Sequence, residues 1–170
     1  IEASKKLAEK LDAPVCCNYQ HNDAFPGSHP LYAGPLGYNG SRAGMELISK
    51  ADVVLALGTR LNPFSTLPGY GLDYWPKNAK LIQVDMNAER IGLTKPVAVG
   101  IAGDAKKTAE GILEKLTPEA GSQGRQERRN LIAELKATWS ETLAAMDHED
   151  DDPGTSWNLR AREKQPSYMS

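Results

Sequence analysis

Apolar side chains recur at helical spacing from the first residues of the chain. Ala3, Leu7, Ala8 and Leu11 fall on one side of Glu2–Leu11, with lysines on the other. Asp12-Ala13-Pro14 closes that helix, since the residue before a proline is driven out of the helical region. Pro14 to Cys17 then reads as a short strand. From Asn18 to Gly40 the sequence is rich in Gly, Pro, His and Asn and has no period, so a loop is expected there. Ser41 stands where an N-cap hydroxyl would accept from the first helical turn, and a helix follows from Arg42 to about Lys50 with Leu47 and Ile48 inward.

Val53 to Leu57 is a continuous apolar run closed by Gly58, too short for a helix and rich in β-branched residues, which predicts a buried parallel strand. A second Gly/Pro/aromatic loop spans Arg60 to Asn78. Leu81 to Val84 is the next strand, ending in Asp85, and Val97 to Ile101 is another. Asp104 caps a helix whose Ala105, Ala109, Ile112, Leu113 and Leu116 make one stripe. After a Gly121–Gly124 break, Arg125 to Met146 forms a long amphipathic helix with Leu131, Leu135, Thr138, Trp139, Thr142 and Met146 along one side, a pattern that reads as a docking face. Glu149 to Asp152, with Pro153-Gly154, is an acidic tail, and the residues beyond it are too polar to bury a core. No internal repeat is apparent. Strands alternating with helices predict the α/β class: a doubly wound, Rossmann-like parallel sheet followed by a long linker helix.

Length and charge narrow this further. At 170 residues the chain holds one ordinary domain with something left over, divided here as residues 1–118 and a linker helix with acidic connector over 119–170. Lys and Arg total 20 against 22 Asp and Glu, a net charge of -2, which argues against a nucleic-acid or membrane-surface partner. Arg125, Arg128 and Arg129 cluster, but Glu127 interrupts them and a solvated helix face is expected. No apolar run approaches the roughly 18 residues of a membrane span. No signal-peptide pattern opens the chain, and its start at Ile1 without Met suggests an internal segment of a longer, cytoplasmic protein. Cys16 and Cys17 are adjacent, so in a strand they point to opposite faces. Two buried thiols in a reducing compartment is the expectation, with a vicinal redox disulfide as the less favoured alternative.

The sequence carries no Gly-x-Ser-x-Gly elbow and no Walker loop, and no catalytic residue is assigned. His21, His29 and His148 lack companions at metal-ligand spacing, so no metal site is assigned either. Gly34, Gly37 and Gly40 are spaced for tight turns rather than for a phosphate loop. Two features remain. The strand ending in Gly58-Thr59-Arg60 and the strand ending in Asp85-Met86-Asn87 would flank a crevice at the carboxyl edge of a parallel sheet. Gly58 would admit a ligand to the backbone and Asp85 would accept from a ribose hydroxyl. The preferred alternative is that Gly58 makes a turn and Asp85 caps the turn near Asn87, because the crevice rests on fold analogy alone. The loop Asn18-Tyr19-Gln20-His21-Asn22-Asp23 is more polar than a connector requires. It is either a ligand contact or a turn bonded to its own backbone, and the two readings stay open.

Several motifs resemble the central domain of the acetolactate synthase and pyruvate oxidase superfamily of thiamine-diphosphate enzymes. They are Ala24-Phe25-Pro26, His29-Pro30-Leu31-Tyr32, Gly34 to Gly37, Ala51 to Arg60, Ile82-Gln83-Val84-Asp85, Ile91-Gly92 and Gly103-Asp104-Ala105, in order from Glu2 to Leu116. Tyr19 to Pro30, Gly58 to Gly71 and Asp73-Tyr74-Trp75-Pro76 are similar to the branch that acts on sulfoacetaldehyde, as is the tail from His148 to Thr155 with Trp157-Asn158.

The resemblance implies the middle of three α/β domains in a homo-oligomeric enzyme of taurine degradation. Its partners would be the N- and C-terminal thiamine-binding domains of the same chain. Thiamine diphosphate and Mg²⁺ would be held outside this segment, because the activating Glu and the Gly-Asp-Gly…Asn motif are not in it. The implied reaction converts sulfoacetaldehyde and phosphate to acetyl phosphate and sulfite, with the segment alone inactive. Alternatives are another thiamine enzyme of the acetolactate synthase type, a stand-alone nucleotide-binding module using Gly58, Thr59, Arg60, Asp85 and Asn87, or a structural interface module. Two departures matter. Leu61-Asn62-Pro63-Phe64 replaces the Phe-Asp-Asp-Arg run of flavin-binding relatives, which argues against FAD. His21-Asn22-Asp23 replaces a Gly-Lys-Gly, which puts Gln20, His21 and Asn22 along the substrate channel with a preference for a sulfonate.

Overall fold

The computed structural model describes residues 1–146, so the expectations made from His148 onward lie outside the described residues. The chain runs α1 (Glu2–Leu11), β1 (Val15–Asn18), a 3-10 turn (Asn22–Ala24), β2 (Tyr32–Leu36), α2 (Arg42–Ile48) and β3 (Val53–Leu57). It continues through a second 3-10 turn (Pro63–Ser65), β4 (Lys80–Asp85), a third (Ala88–Arg90), β5 (Val99–Ala102), α3 (Ala105–Lys115) and α4 (Arg125–Met146). Ser41 and Asp104 cap α2 and α3 as their positions predict, accepting from the N–H of Gly44 and Lys107.

Every strand pairing among the described residues is parallel, as the alternation of elements requires. The strands bond as two groups, β1 with β2 and β3-β4-β5, with Leu57 level with Val84 and Asp85 level with Ala102. Alternate residues of β3 serve different layers. Leu55 and Leu57 pack with Ala3, Leu7 and Ala109 under α1 and α3, while Val54 and Ala56 pack with Leu61, Leu81, Trp75 and Val97 under the loops. Around β1 and β2 the core joins Ala8, Cys17, Phe25, Leu31, Ala33, Leu47 and Ile132.

Four expectations are corrected. The long loop from Asn18 to Gly40 contains β2, hidden because Gly34 and Pro35 sit in its middle; proline is tolerated there because β2 pairs only with β1. Val53 is half exposed rather than buried, since the start of β3 runs past the helices that cover Leu55 and Leu57. In α4 the fully buried residue is Ile132, while Thr138 is exposed, because it is Ile132, flanked by Leu131 and Leu135, that reaches the core around Phe25 and Leu47.

The last correction concerns the arginines. Arg128 and Arg129 are more than a solvated face: Arg129 stays half exposed, yet both side chains fold onto the end of α1. Asp12 ends that helix in the left-handed region (φ 53°) and is wholly buried. Arg129 Nη2 and Nε lie 2.7 and 2.8 Å from its Oδ1, and Arg128 donates to the carbonyls of Asp12 and Leu11. Arg128 thus satisfies carbonyls that a helix C-terminus leaves without partners, while Arg129 pairs with the Asp12 carboxylate.

One buried polar side chain ties the strand ends together. Gln83 in β4 is 1 % exposed. Its Nε2 donates to the carbonyls of Thr59 (3.0 Å) and Arg90 (3.3 Å), and its Oε1 accepts from the N–H of Gly92 (2.9 Å). The loop after β3 and the loop after β4 therefore hang from one amide, whose orientation is set by two acceptors on one side and a donor on the other. Replacing it by an isosteric apolar group removes three partners at once. Gln83→Leu is expected to lower stability by about 2–4 kcal/mol and to speed amide exchange at Gly92; a urea midpoint and exchange rate unchanged from the parent would contradict this.

Cys16 and Cys17 are both free and point to opposite faces. Cys16 Sγ faces the Gly44 carbonyl of α2 (3.8 Å), and Cys17 is buried in the core around Phe25. Burial pushes the Cys16 thiol up to about 12, and Cys17 is raised by the same cause with Asp23 adding to it. Both thiols are then protonated through neutral pH, and Cys16 reaches its thiolate only near pH 12. At pH 8 iodoacetamide should therefore label the native pair more slowly than a free thiol, Cys16 most of all, and at the ordinary rate in urea. Native labelling at the free-thiol rate would refute the burial assignment.

Candidate functional site

The residues singled out in sequence all sit where strands end at the carboxyl edge. After β1 the chain turns at Asn18, whose Oδ1 accepts from the N–H of Gln20 (3.2 Å) while its carbonyl accepts from His21 N–H (2.9 Å). His21 then caps the 3-10 turn through its carbonyl, which accepts from Ala24 N–H (3.1 Å). The loop is thus self-bonded, but through Asn18 rather than through Asn22 and Asp23. Gln20, His21 and Asn22 are exposed, and among the described residues no hydrogen bond holds their side chains. A firm backbone carrying free polar side chains suits ligand contact.

Residues just beyond fix that loop. Phe25 is buried in the core and meets the His29 ring edge-on at 5.2 Å. His29 Nδ1 accepts from Leu31 N–H (3.2 Å), so its proton sits on Nε2, which faces Glu9 Oε1 at 3.1 Å. The Phe25 and His29 positions are anchors, a role that sequence reasoning did not assign.

After β2, Gly37 (φ 85°) lets two loops meet: a Cβ there would lie 2.1 Å from the Phe64 carbonyl, which accepts from Tyr38 N–H (2.9 Å). Tyr19 packs edge-on against Tyr38, with ring centroids 6.4 Å apart. The two loops and the Gln20–Asn22 turn therefore form one continuous surface.

After β3 and β4 the two turns expected to wall a crevice spend much of their polar capacity on the backbone. Gly58 adopts φ 64° and donates to the Val84 carbonyl (2.9 Å). Thr59 Oγ1 accepts from Leu61 N–H (3.2 Å). Asp85 is buried and its Oδ1 accepts from Asn87 N–H (2.8 Å), while Asn87 Oδ1 accepts from Glu89 N–H (3.0 Å). Arg60 is exposed. The turn-capping alternative for Asp85 is thus realised in the geometry. What sequence reasoning missed is Gln83, the residue that holds both walls; its signal was a lone amide inside the apolar run Leu81-Ile82-Gln83-Val84.

Among the described residues no three His, Cys, Asp or Glu side chains gather as a metal site. A cavity of about 520 Å³ lies between α1 and α4, lined by Glu9, Asp12, His29, Arg129, Ile132 and Lys136 among others. Gln20, His21, Asn22, Gly58, Thr59, Arg60, Asp85 and Asn87 are not among its lining residues. No described helix is long and apolar enough to cross a membrane.

Comparison with known proteins places this geometry. Residues 1–112 match the family described as thiamine pyrophosphate enzyme, central domain. Over all 170 residues the chain is 73% identical to sulfoacetaldehyde acetyltransferase of Roseovarius nubinhibens, covering 28% of that protein. It is 69% identical over its full length to a probable sulfoacetaldehyde acetyltransferase of Rhizobium meliloti, covering 29% of it. A more distant relative is the acetolactate synthase isozyme 3 large subunit of Escherichia coli, 31% identical over 126 residues, which are 74% of this chain and 21% of that protein. The chain spans less than a third of the length of these relatives. With parallel α/β architecture and the matched residues in agreement, the chain belongs to the central-domain family of thiamine pyrophosphate enzymes.

Proposed function

We propose that the chain is the central scaffold of a thiamine-diphosphate-dependent acetyltransferase that converts sulfoacetaldehyde and phosphate to acetyl phosphate and sulfite. The observation that carries this is the 73% identity to a sulfoacetaldehyde acetyltransferase sustained along all 170 residues. In this reading thiamine diphosphate and Mg²⁺ are held by N- and C-terminal domains of the same polypeptide. Residues 1–118 are the central domain and 119–170 the connector. The complete protein is a cytoplasmic homo-oligomer that serves taurine degradation. The cofactor supplies the carbanion chemistry.

This chain's own residues hold the substrate rather than transform it. Gln20 and Asn22 amides and the His21 ring donate hydrogen bonds, which suits the three acceptor oxygens of a sulfonate. They stand exposed on a turn whose backbone is already satisfied, so presenting them to a substrate breaks no existing bond. The crevice of Gly58, Thr59, Arg60, Asp85 and Asn87 is read as a vestigial nucleotide site, its acceptors committed to turns. FAD has no part in this reading: Leu61 is buried, and Asn62 is spent on capping the Pro63–Ser65 turn through Ser65 N–H (3.0 Å).

His21→Ala and Asn22→Ala in the full-length enzyme test the assignment. Each is expected to lower kcat/KM for sulfoacetaldehyde about tenfold, the loss of one hydrogen bond to a charged group, with stability unchanged because both side chains are exposed. An unaltered kcat/KM in both variants would remove these residues from substrate selection.

A further inference from the structure

Tyr70 holds a backbone conformation that its side chain does not favour. It sits at φ 52° and Gly71 at φ 73°, between Gly69 and Leu72, whose N–H groups donate to each other's carbonyls at 3.3 and 2.8 Å. Positive φ at both central positions is the pattern of the type I′ turn, which Asn-Gly forms with least strain and which a bulky aromatic resists. Two bulky residues take positive φ among the described residues. Leu61 is buried under the loops, whereas Tyr70 is 45 % exposed, so burial does not account for it. Such strain persists only where surrounding contacts impose it.

Those contacts lie at the far end of the side chain. The Tyr70 hydroxyl donates to the Gly40 carbonyl (2.9 Å), and Trp139 of α4 backs the ring edge-on at 5.1 Å. Gly40 in turn closes the bend that carries Tyr38: its N–H donates to the Gly37 carbonyl (2.9 Å), and Tyr38 N–H donates to the Phe64 carbonyl (2.9 Å). That bend has no slack. A Cβ on Gly37 would lie 2.1 Å from the Phe64 carbonyl oxygen, and one on Gly40 would lie 2.8 Å from that of Pro35. Tyr38 then meets Tyr19 edge-on, with centroids 6.4 Å apart, and Tyr19 directly precedes Gln20. One line of contacts therefore runs from α4 through a strained tyrosine to the exposed polar turn.

We propose that Tyr70 is a positioning residue for that turn. It sets the Gly37–Gly40 bend and, through Tyr38 and Tyr19, the placing of Gln20, His21 and Asn22 toward the sulfonate. This rests on the reading that those three side chains contact the substrate. Tyr70 acts through the turn and not on the substrate.

Two variants of the full-length enzyme separate this role from a part in folding alone. Tyr70→Phe removes only the hydroxyl, while Tyr70→Asn supplies the residue type that a type I′ turn favours, so the local turn is kept. In both, hydrogen exchange at the His21 and Ala24 amides, which close the polar turn, is expected to quicken about fivefold, the weight of one hydrogen bond. The Gly92 amide, held by Gln83, keeps its rate. The KM for sulfoacetaldehyde is expected to rise about fivefold with the KM for phosphate unchanged. Adding Tyr70→Phe to the double variant His21→Ala, Asn22→Ala is expected to change nothing further. Unchanged exchange at His21 and Ala24 in both variants overturns the proposal, whatever the activity does. So does a rise in both KM values together, or an effect of Tyr70→Phe that adds in full to the double variant, since general loosening of the fold produces either. Quickened exchange with kcat/KM at the parent value in His21→Ala and Asn22→Ala removes the substrate-contact reading instead, and the part of Tyr70 in the reaction falls with it.

Discussion

A buried primary amide in the middle of a parallel sheet is the constraint from which the carboxyl edge of this domain takes its shape. Gln83 sits between Leu81 and Val84, in a strand that hydrophobic burial alone would fill with aliphatic residues. Its cost of burial is offset because all of its strongest hydrogen-bonding capacity is used, on the Thr59 and Arg90 carbonyls and the Gly92 N–H. Backbone ladders end where strands end, so loops beyond them need other partners. Here one side chain supplies them to both loops, and the Gly58–Arg60 turn and the Arg90–Gly92 turn are fixed relative to each other without a ligand between them.

A second polar device works at the opposite side of the helical layer. Wholly buried Asp12 accepts from Arg129, while Arg128 covers the last carbonyls of α1. The long helix α4 is thereby joined to α1 as well as packed on α2 through its buried Ile132. Only the carboxylate of this pair is buried, the Arg129 side chain being half exposed, and such a pair contributes more to geometry than to net stability. Their effect here is to choose one seating of an amphipathic helix that apolar contacts alone would leave free to slide.

Much of the fold was legible in the sequence because periodicity and caps are local. Glu2–Leu11, Val53–Leu57 and Arg125–Met146 coincide with elements of the structure, and Ser41 and Asp104 cap the helices they precede. What stayed hidden depends on residues far apart in the chain. β2 exists because β1 offers a parallel partner, which overrides Gly34 and Pro35; Arg128 and Arg129 read as a solvated face until α1's end is brought to them. At the site, the residue types at Gln20–Asn22 and at Gly58 and Asp85 were visible. Which of them remain free and which are spent on turns was not, because an Asx turn and a ligand contact call for the same side chains. Gln83 escaped notice for the same reason: the worth of a buried amide lies in partners 7 to 24 positions away.

The division of labour follows from these placements. The domain carries rigid strand ends and a polar turn with free side chains, while its described residues gather no metal-binding cluster. On the proposed function, chemistry belongs to neighbouring domains, and this one holds them and borders the substrate. Titration calorimetry with thiamine diphosphate and Mg²⁺ tests that assignment most directly, comparing the 170-residue chain, shown to be folded by circular dichroism, with the full-length enzyme. The account predicts saturable binding by the full-length enzyme and none by the chain; micromolar binding by the chain alone would contradict it.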